Sequence, residues 1–257
     1  MDPDATAFTL DVVGAGPAYT DRPGASGACY LLRADGTALV LDLGQGSFPR
    51  LAGLLEPSAI SAVAISHLHP DHFIDLVPLR HYLRWEFRPA RRVRVIGPAG
   101  LDGRLDALLA EPGFTSESLD VERLTAGTIA VGRFSVEVGR VTHTQDSYGF
   151  RVARPSGGPG LVYSGDCGRA EDLDELVRPG DTLLVEVSFG AGEIPPGAHH
   201  LNGQAVGALA QRVAAGRVLL THIQMGHEEA ATLDAVRDRY AGPVSFVQPG
   251  DAIVIGA

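Results

Sequence analysis

Ile60-Ser61-Ala62-Val63-Ala64-Ile65-Ser66-His67-Leu68-His69-Pro70-Asp71-His72 is the stretch on which the fold and the chemistry of this chain turn. Ile60–Ile65 is a short apolar run bounded by Ser58 and Ser66, the pattern of a buried strand. In an extended segment residues two apart point the same way, so His67 and His69 converge on one point. Pro70 then turns the chain, and Asp71 and His72 address a second point nearby. Three imidazoles and a carboxylate are donor types that suit a borderline divalent metal such as zinc. A polar surface loop that happens to be rich in His is the bland alternative. Four such donors within six residues at a strand end make it the weaker reading.

Further donors stand in matching contexts. His143 follows the expected strand Phe134–Val141, Asp166 lies in Tyr163-Ser164-Gly165-Asp166 after Gly160–Tyr163, and His222 follows Leu219-Leu220-Thr221. Strand ends that open onto turns are where layered sheet proteins collect their site residues. Singly each is weak, since an Asp after Gly is commonly a turn residue and a lone His a satisfied structural one. Together they bring the count to five His and two Asp, enough for two four- or five-coordinate ions.

Outward from these donors, short apolar strands alternate with turns and a few helices. Strands are expected at Phe8–Val13, Cys29–Arg33, Leu39–Asp42, Arg92–Ile96, Tyr148–Val152, Thr182–Val187, Arg217–Leu220 and Ala252–Ile255. Helices are expected at Phe73–Leu83, Leu101–Leu109, Asp172–Val177, Gly203–Val213 and Glu228–Tyr240. Two mixed sheets with helices outside them cover so many apolar strands, an α/β arrangement of the α+β kind. No linker, composition break or short-period repeat divides the chain, so residues 1–257 are expected to form one domain.

Composition narrows the function. The 257 residues carry a formal charge of −10, and all 21 basic residues are Arg. An acidic surface argues against a general nucleic-acid binder and against a protein lying on anionic lipid. No apolar run reaches the roughly 18 residues of a membrane span. Met1 to Phe8 is acidic and lacks the basic and apolar segments of a signal peptide. Two cysteines, Cys29 and Cys167, make no disulfide framework, and a reducing cytoplasm is the default location.

The string HxHxDH at His67–His72, followed by His143, Asp166 and His222, resembles the metallo-β-lactamase-fold hydrolases. The resemblance implies a four-layer αββα sandwich with a binuclear site at one edge. It implies one metal on His67, His69 and His143, a second on Asp71, His72 and His222, and Asp166 bridging both. Asp42, in Leu41-Asp42-Leu43-Gly44, matches the family's early Asp, which supports the site without binding metal; an ordinary Asp-x-Gly turn is the other reading. Ile96-Gly97-Pro98-Ala99-Gly100-Leu101, Ser147-Tyr148-Gly149-Phe150-Arg151, Tyr163-Ser164-Gly165-Asp166 and Thr221-His222 are similar to the ribonuclease Z and phosphodiesterase branch. His200-Leu201-Asn202 resembles that branch's extra His, which helps protonate the leaving oxygen, with exposed loop residues His199 and His200 as the alternative. Asn202 is placed to cap the helix from Gly203. His81 and His227 are read as helical residues that pack or face solvent, and Cys167 as a small buried neighbour of Asp166.

The chain departs from ribonuclease Z in two ways. The run from Leu101 to His143 leaves no room for a tRNA-gripping arm, and Tyr19-Thr20-Asp21-Arg22-Pro23-Gly24 stands where a Pro-x-Lys-x-Arg-Asn pattern is usual. With the acidic charge, tRNA is disfavoured as a partner. The Arg cluster Arg80, Arg84, Arg88, Arg91, Arg92, Arg94 reads as a solvated helix face with Glu86 interleaved, or as a contact for an anionic substrate or partner subunit.

Two dications, the carboxylates of Asp71 and Asp166 and one hydroxide leave a net positive pocket, which favours a small anionic substrate. The leading expectation is a phosphodiesterase working through metal-bound hydroxide, with Asp71 orienting the nucleophile and His200 as general acid. The cofactors are expected to be two divalent ions, zinc first, then manganese or iron. The same pair serves lactone, thioester or ester hydrolysis. An oxygen-reducing di-iron site would place Glu where His69 stands. A non-catalytic metal-binding sensor or interaction domain is the reading from another class. No membrane partner is expected, and a homodimer is left open.

Overall fold

The computed structural model describes residues 7–256. The acidic start of the chain, read above for a signal peptide, therefore lies outside the described residues up to position 6. In chain order the first strands are β1 (Phe8–Gly14), β2 (Cys29–Ala34), β3 (Thr37–Leu41), β4 (Ala62–Ala64), β5 (Val93–Gly97), β6 (Leu119–Arg123) and β7 (Gly127–Val131). They are followed by β8 (Phe134–Arg140), β9 (Tyr148–Ala153), β10 (Leu161–Tyr163), β11 (Thr182–Glu186), β12 (Arg217–Thr221), β13 (Val244–Phe246) and β14 (Ala252–Ile255). The helices are α1 (Phe48–Leu54), α2 (Pro70–Phe73), α3 (Leu76–Trp85), α4 (Leu101–Leu109), α5 (Gly203–Arg212) and α6 (Glu229–Arg237).

The strands form two seven-stranded sheets, in the orders β14-β1-β2-β3-β4-β5-β6 and β13-β12-β11-β10-β9-β8-β7. Side-chain alternation builds the layers. Along β3, Leu39 and Leu41 face the second sheet while Val40 faces outward, and along β11 Leu184 faces inward while Leu183 and Val185 face outward. The inner cluster contains Leu10, Tyr30, Leu39 and Leu41 of one sheet with Val138, Phe150, Tyr163 and Leu184 of the other. Outside the first sheet, Val40, Val63 and Val95 pack under Leu51, Leu79, Leu83 and Leu105 of α1, α3 and α4. Outside the second, Leu183, Val185 and Val218 pack under Val206, Leu209 and Val236 of α5 and α6. The result is the expected αββα sandwich of the metallo-β-lactamase fold.

Both sheets contain a parallel core, β3-β4-β5-β6 in one and β10-β11-β12-β13 in the other. Asp42, His67, Asp166 and His222 lie one to three residues beyond the carboxyl ends of β3, β4, β10 and β12, and Glu186 ends β11. The turns that carry the chemistry thus open at strand carboxyl ends, where parallel sheets place their sites.

Several local expectations need correcting. The helix expected at Phe73–Leu83 is two helices, α2 and α3, divided at Ile74-Asp75. The carboxylate of Asp75 accepts the amide N–H of Phe48 at 2.8 Å, a contact with the start of α1 that holds the break. The helix expected at Asp172–Val177 is a short 3-10 turn at Ala170–Leu173. His227 precedes α6 instead of lying on a helix. The strands β6, β7 and β13 and the helix α1 went unread. β6 and β7 show mostly exposed or half-exposed residues, and β13 has three residues. Among the described residues no helix is long and apolar enough to cross a membrane.

Candidate metal centre

The structure brings the seven sequence-predicted donors to one edge of the sandwich, in two groups that share Asp166. Donor atoms of His67, His69, His143 and Asp166 lie within 4.8 Å of one another, as do those of Asp71, His72, Asp166 and His222. Asp166 Oδ2 faces the first group, 3.6 Å from both His67 Nε2 and His143 Nε2. Asp166 Oδ1 faces the second, 3.3 Å from His72 Nε2 and 3.4 Å from His222 Nε2.

The partner of each ring's other nitrogen shows which nitrogen is offered to the centre. His143 Nδ1 sits 2.8 Å from the carbonyl of His199, which only accepts, so Nδ1 carries the proton and Nε2 offers its lone pair. Ser66 Oγ donates to Asp42 at 2.7 Å and so accepts from His67 Nδ1 at 3.1 Å, which frees His67 Nε2. His72 Nδ1 donates to Asp42 Oδ2 at 2.7 Å. Ser188 Oγ donates to Glu186 at 2.7 Å and accepts from His222 Nδ1 at 3.1 Å. His69 turns its Nδ1 inward, 3.1 Å from the Nε2 atoms of both His67 and His143.

The lone pairs of His67 and His143 therefore face Asp166 Oδ2 in the first group, and in the second His72 Nε2 and Asp166 Oδ1 are buried with no hydrogen-bond partner among the described residues. Such convergence of acceptors on acceptors is costly unless a cation stands between them. The donor set of imidazoles and carboxylates fits two divalent ions of the zinc type.

The protonation preferences agree with this arrangement. Burial pushes His67, His69 and His143 below the usual imidazole range, so all three are neutral donors. Burial works the same way on His72 and His222. There the facing carboxylates of Asp166, Asp42 and Asp71 outweigh it and raise the ring's affinity for a proton. Burial would raise Asp166, but His222 and His72 outweigh it and keep this carboxylate well below its usual range. The negative potential that retains a proton there equally attracts a cation.

Asp42 is no surface turn. It is fully buried in a left-handed conformation (φ 55°), with Oδ1 accepting the Ser66 amide at 2.6 Å. Its Oδ2 takes Ser66 Oγ, His72 Nδ1 and the Tyr163 hydroxyl at 2.7, 2.7 and 2.6 Å. The motif itself is held by backbone packing. Ala28 N–H donates to Asp71 O at 3.0 Å, and Leu43 N–H to His72 O at 2.7 Å.

His200 stands at the mouth of the centre. It lines a cavity of about 340 Å3 with Tyr19, His69, Asp71, Asp166 and His222. Its Nδ1 lies 2.9 Å from Glu186 Oε1, and this carboxylate raises the ring's affinity for a proton against the opposing effect of burial. Asn202 caps α5 by accepting the amide of Ala205 at 3.0 Å. His199 is exposed and acts through its carbonyl, and His81 is exposed on α3.

Glu186 and Ser188 were missed by sequence reasoning. The available signal was an acid closing an apolar strand, Thr182-Leu183-Leu184-Val185-Glu186, at the same edge as the other donors. Cys167 is buried, its thiol pushed up by burial and directed to the Arg169 carbonyl, and it belongs to neither donor group. Arg88, Arg91 and Arg92 of the Arg cluster are exposed, as a solvated face requires, but four of its six members are held by oxygens of the chain. Arg80 is buried and donates to Phe114 O and Glu117, Arg84 shares Glu117, Arg92 holds Asp120 and Arg94 holds Glu122.

The model of the family described as "Beta-lactamase superfamily domain" matches residues 40–223, a span that encloses every donor from Asp42 to His222. The chain is 33% identical over 242 residues to the uncharacterized protein ML1173 of Mycobacterium leprae, covering 91% of this chain and 84% of that one. A Bacillus subtilis protein named "Probable metallo-hydrolase YhfI" is 25% identical over 206 residues, 76% of this chain and 78% of that one. The crystal structure of YhfI covers 96% of this chain and 99% of its own with a TM-score of 0.85 at 20% identity. Human tRNase Z, short form, covers 95% and 98% with a TM-score of 0.71 at 22% identity. At these identities the two solved structures speak for the fold.

Proposed function

The chain belongs to the beta-lactamase superfamily, and from that premise we propose that it is a binuclear metal-dependent hydrolase, zinc-loaded, that cleaves a small anionic phosphodiester. The observation that carries the reading is the Glu186–His200 pair, which sets an imidazole backed by a carboxylate in the same cavity as members of both donor groups.

When bound, two such ions supply Lewis acidity toward phosphoryl oxygens and lower the pKa of water. The chain's own residues do the rest. The donor cluster sits in a cavity whose size admits a small substrate, and its net positive balance when loaded favours an anion. Asp71 brings a carboxylate to the wall of that cavity, where it orients the nucleophile and accepts its proton. Glu186 Oε1 fixes His200 through Nδ1, so Nε2 is the atom that carries a proton to the leaving oxygen. Glu186 itself is rigid, because Oε2 accepts the Ser188 amide at 2.8 Å and the Ser188 hydroxyl at 2.7 Å.

The test compares two leaving groups. Bis(p-nitrophenyl) phosphate releases a stabilised phenolate that needs little protonation, whereas a dinucleoside monophosphate releases an alkoxide that needs it. His200→Ala is expected to lose roughly 10²–10⁴-fold in kcat on the second and far less on the first. Glu186→Gln is expected to reproduce part of that split. Equal losses on both substrates would remove the general-acid role. A metal-loaded enzyme inert to both diesters but active on a lactone would replace phosphorus with carbonyl chemistry.

A further inference from the structure

A second cavity, of about 380 Å3, lies behind a wall of the metal centre. The loop after β1 forms one part of this partition. Ala18 and Tyr19 face the donor cluster, Gly16 and Thr20 face the second cavity, and Pro17 lines both. The segment after β12 forms the other part. His222 lines both chambers, Ile223 the second and Gln224 the first.

Two guanidinium groups line this second cavity. Arg50 donates twice from one nitrogen, Nη1, to Val13 O at 2.8 Å and Ser26 Oγ at 3.3 Å, both uncharged. Among the described residues its Nε and Nη2 make no hydrogen bond of this kind, and a guanidinium has five N–H donors in a fixed fork. Arg22 donates to the carbonyls of Ile223 and His227 at 3.2 and 3.5 Å, and its carboxylate neighbour, Glu229, is 4.0 Å away. Elsewhere in this acidic chain Arg33, Arg94, Arg151 and Arg212 lie directly on carboxylates. Here two positive charges are held by neutral oxygens around an open space, with one acid at the edge of reach. Phe246, Val247 and Pro249 supply the apolar part of the lining.

We propose that this cavity is a second ligand site, separate from the metal centre, for a small organic anion: a phosphate or carboxylate on a flat apolar body. The acid group is held by Arg50 and Arg22, whose forks match its geometry, and the body packs against Phe246 and Pro249. The site does not depend on the hydrolase reading. Because Pro17 and His222 belong to both chambers, an occupant also bears on the wall of the metal centre.

The test titrates phenylphosphonate, and in parallel benzoate, into the metal-loaded protein while amide resonances are followed. Expected are saturable shifts at Gly16, Thr20, Val247 and Gln248. The dissociation constant should rise about tenfold or more in Arg22→Gln/Arg50→Gln, with metal content unchanged. The tighter of the two probes names the acid group. Shifts confined to Tyr19, Asp71 and Gln224 around the metals, or equal affinity in the double variant, would overturn the proposal. Should the double variant fail to fold, the wild-type shift map decides by itself.

Discussion

Asp42→Asn changes one atom type at the point that sets the direction of a metal donor. The Asp42 carboxylate accepts four donors, one on Oδ1 and three on Oδ2, and no part of it reaches solvent. An amide that keeps the Ser66 N–H on its oxygen turns its NH2 toward Ser66 Oγ, Tyr163 OH and His72 Nδ1. The two hydroxyls rotate and become acceptors. The imidazole N–H has no such freedom, so it must give up its proton or face another donor. The bond lost is charge-assisted, worth roughly 1.5–3 kcal/mol, and the metal-free protein should be destabilised by about that amount. If His72 instead shifts its proton to Nε2, the lone pair leaves the metal side of the ring. Loss of such a supporting partner costs roughly 10–100-fold in metal affinity. Competition with a chromophoric chelator measures the affinity, and urea unfolding of the chelated protein measures the stability. A variant that holds both ions within about twofold of the wild-type affinity would refute the idea that Asp42 fixes the His72 tautomer.

Two further outcomes follow from the same geometry. In Gly44→Ala, the new methyl would sit 1.8 Å from Asp71 O and 2.6 Å from its carbonyl carbon, so the backbone of the His67–His72 turn has to move. A stability loss of at least about 1–3 kcal/mol and incomplete metal loading are expected, and full loading at the wild-type melting temperature would sink the prediction. Metal binding should also expel protons. His72 and His222 are held above the ordinary imidazole value of 6.5 by the carboxylates that face them, whereas burial holds His67, His69 and His143 below it. The ion of the Asp71–His72–His222 group therefore competes with protons, and its affinity rises with pH until the raised values are passed, whereas the ion of the His67–His69–His143 group does not. Calorimetry at pH 6.5 in buffers of different ionisation enthalpy should count about one to two protons released per chain, and a buffer-independent heat would refute this.

The donors were legible because His67, His143, Asp166 and His222 stand within three residues of a strand end and His69, Asp71 and His72 crowd behind the first of them, a local pattern that needs no partner to be recognised. The sandwich was legible for the same reason, since Leu39, Val40 and Leu41 alternate between inner and outer clusters. What escaped depends on distant contacts. The break between α2 and α3 rests on Asp75 capping Phe48, twenty-seven positions away in sequence. The burial of Arg80 and the pairing of Arg84, Arg92 and Arg94 escaped notice because their acids come from later in the chain, Glu117 on a 3-10 turn and Asp120 and Glu122 on β6. Glu186 reads as the end of a strand until a loop returns His200 to it.

A long-range contact also explains how donors from opposite sheets are held within 4.8 Å of one another. Tyr30, on β2 of the first sheet, hydrogen-bonds Thr221 Oγ1 at the end of β12 in the second, at 2.6 Å. Tyr163, on β10 of the second sheet, donates to Asp42 just past β3 in the first, also at 2.6 Å. The two rings lie 5.1 Å apart, and burial raises both hydroxyls far enough that they stay protonated. Each sheet thus reaches across to the residue that supports, or directly precedes, a donor of the other: Asp42 beneath His72, and Thr221 before His222. Sliding one sheet over the other would break both bonds inside an apolar layer, where neither hydroxyl finds water. The reciprocal tyrosines therefore act as the brace that joins the two sheet edges into one centre.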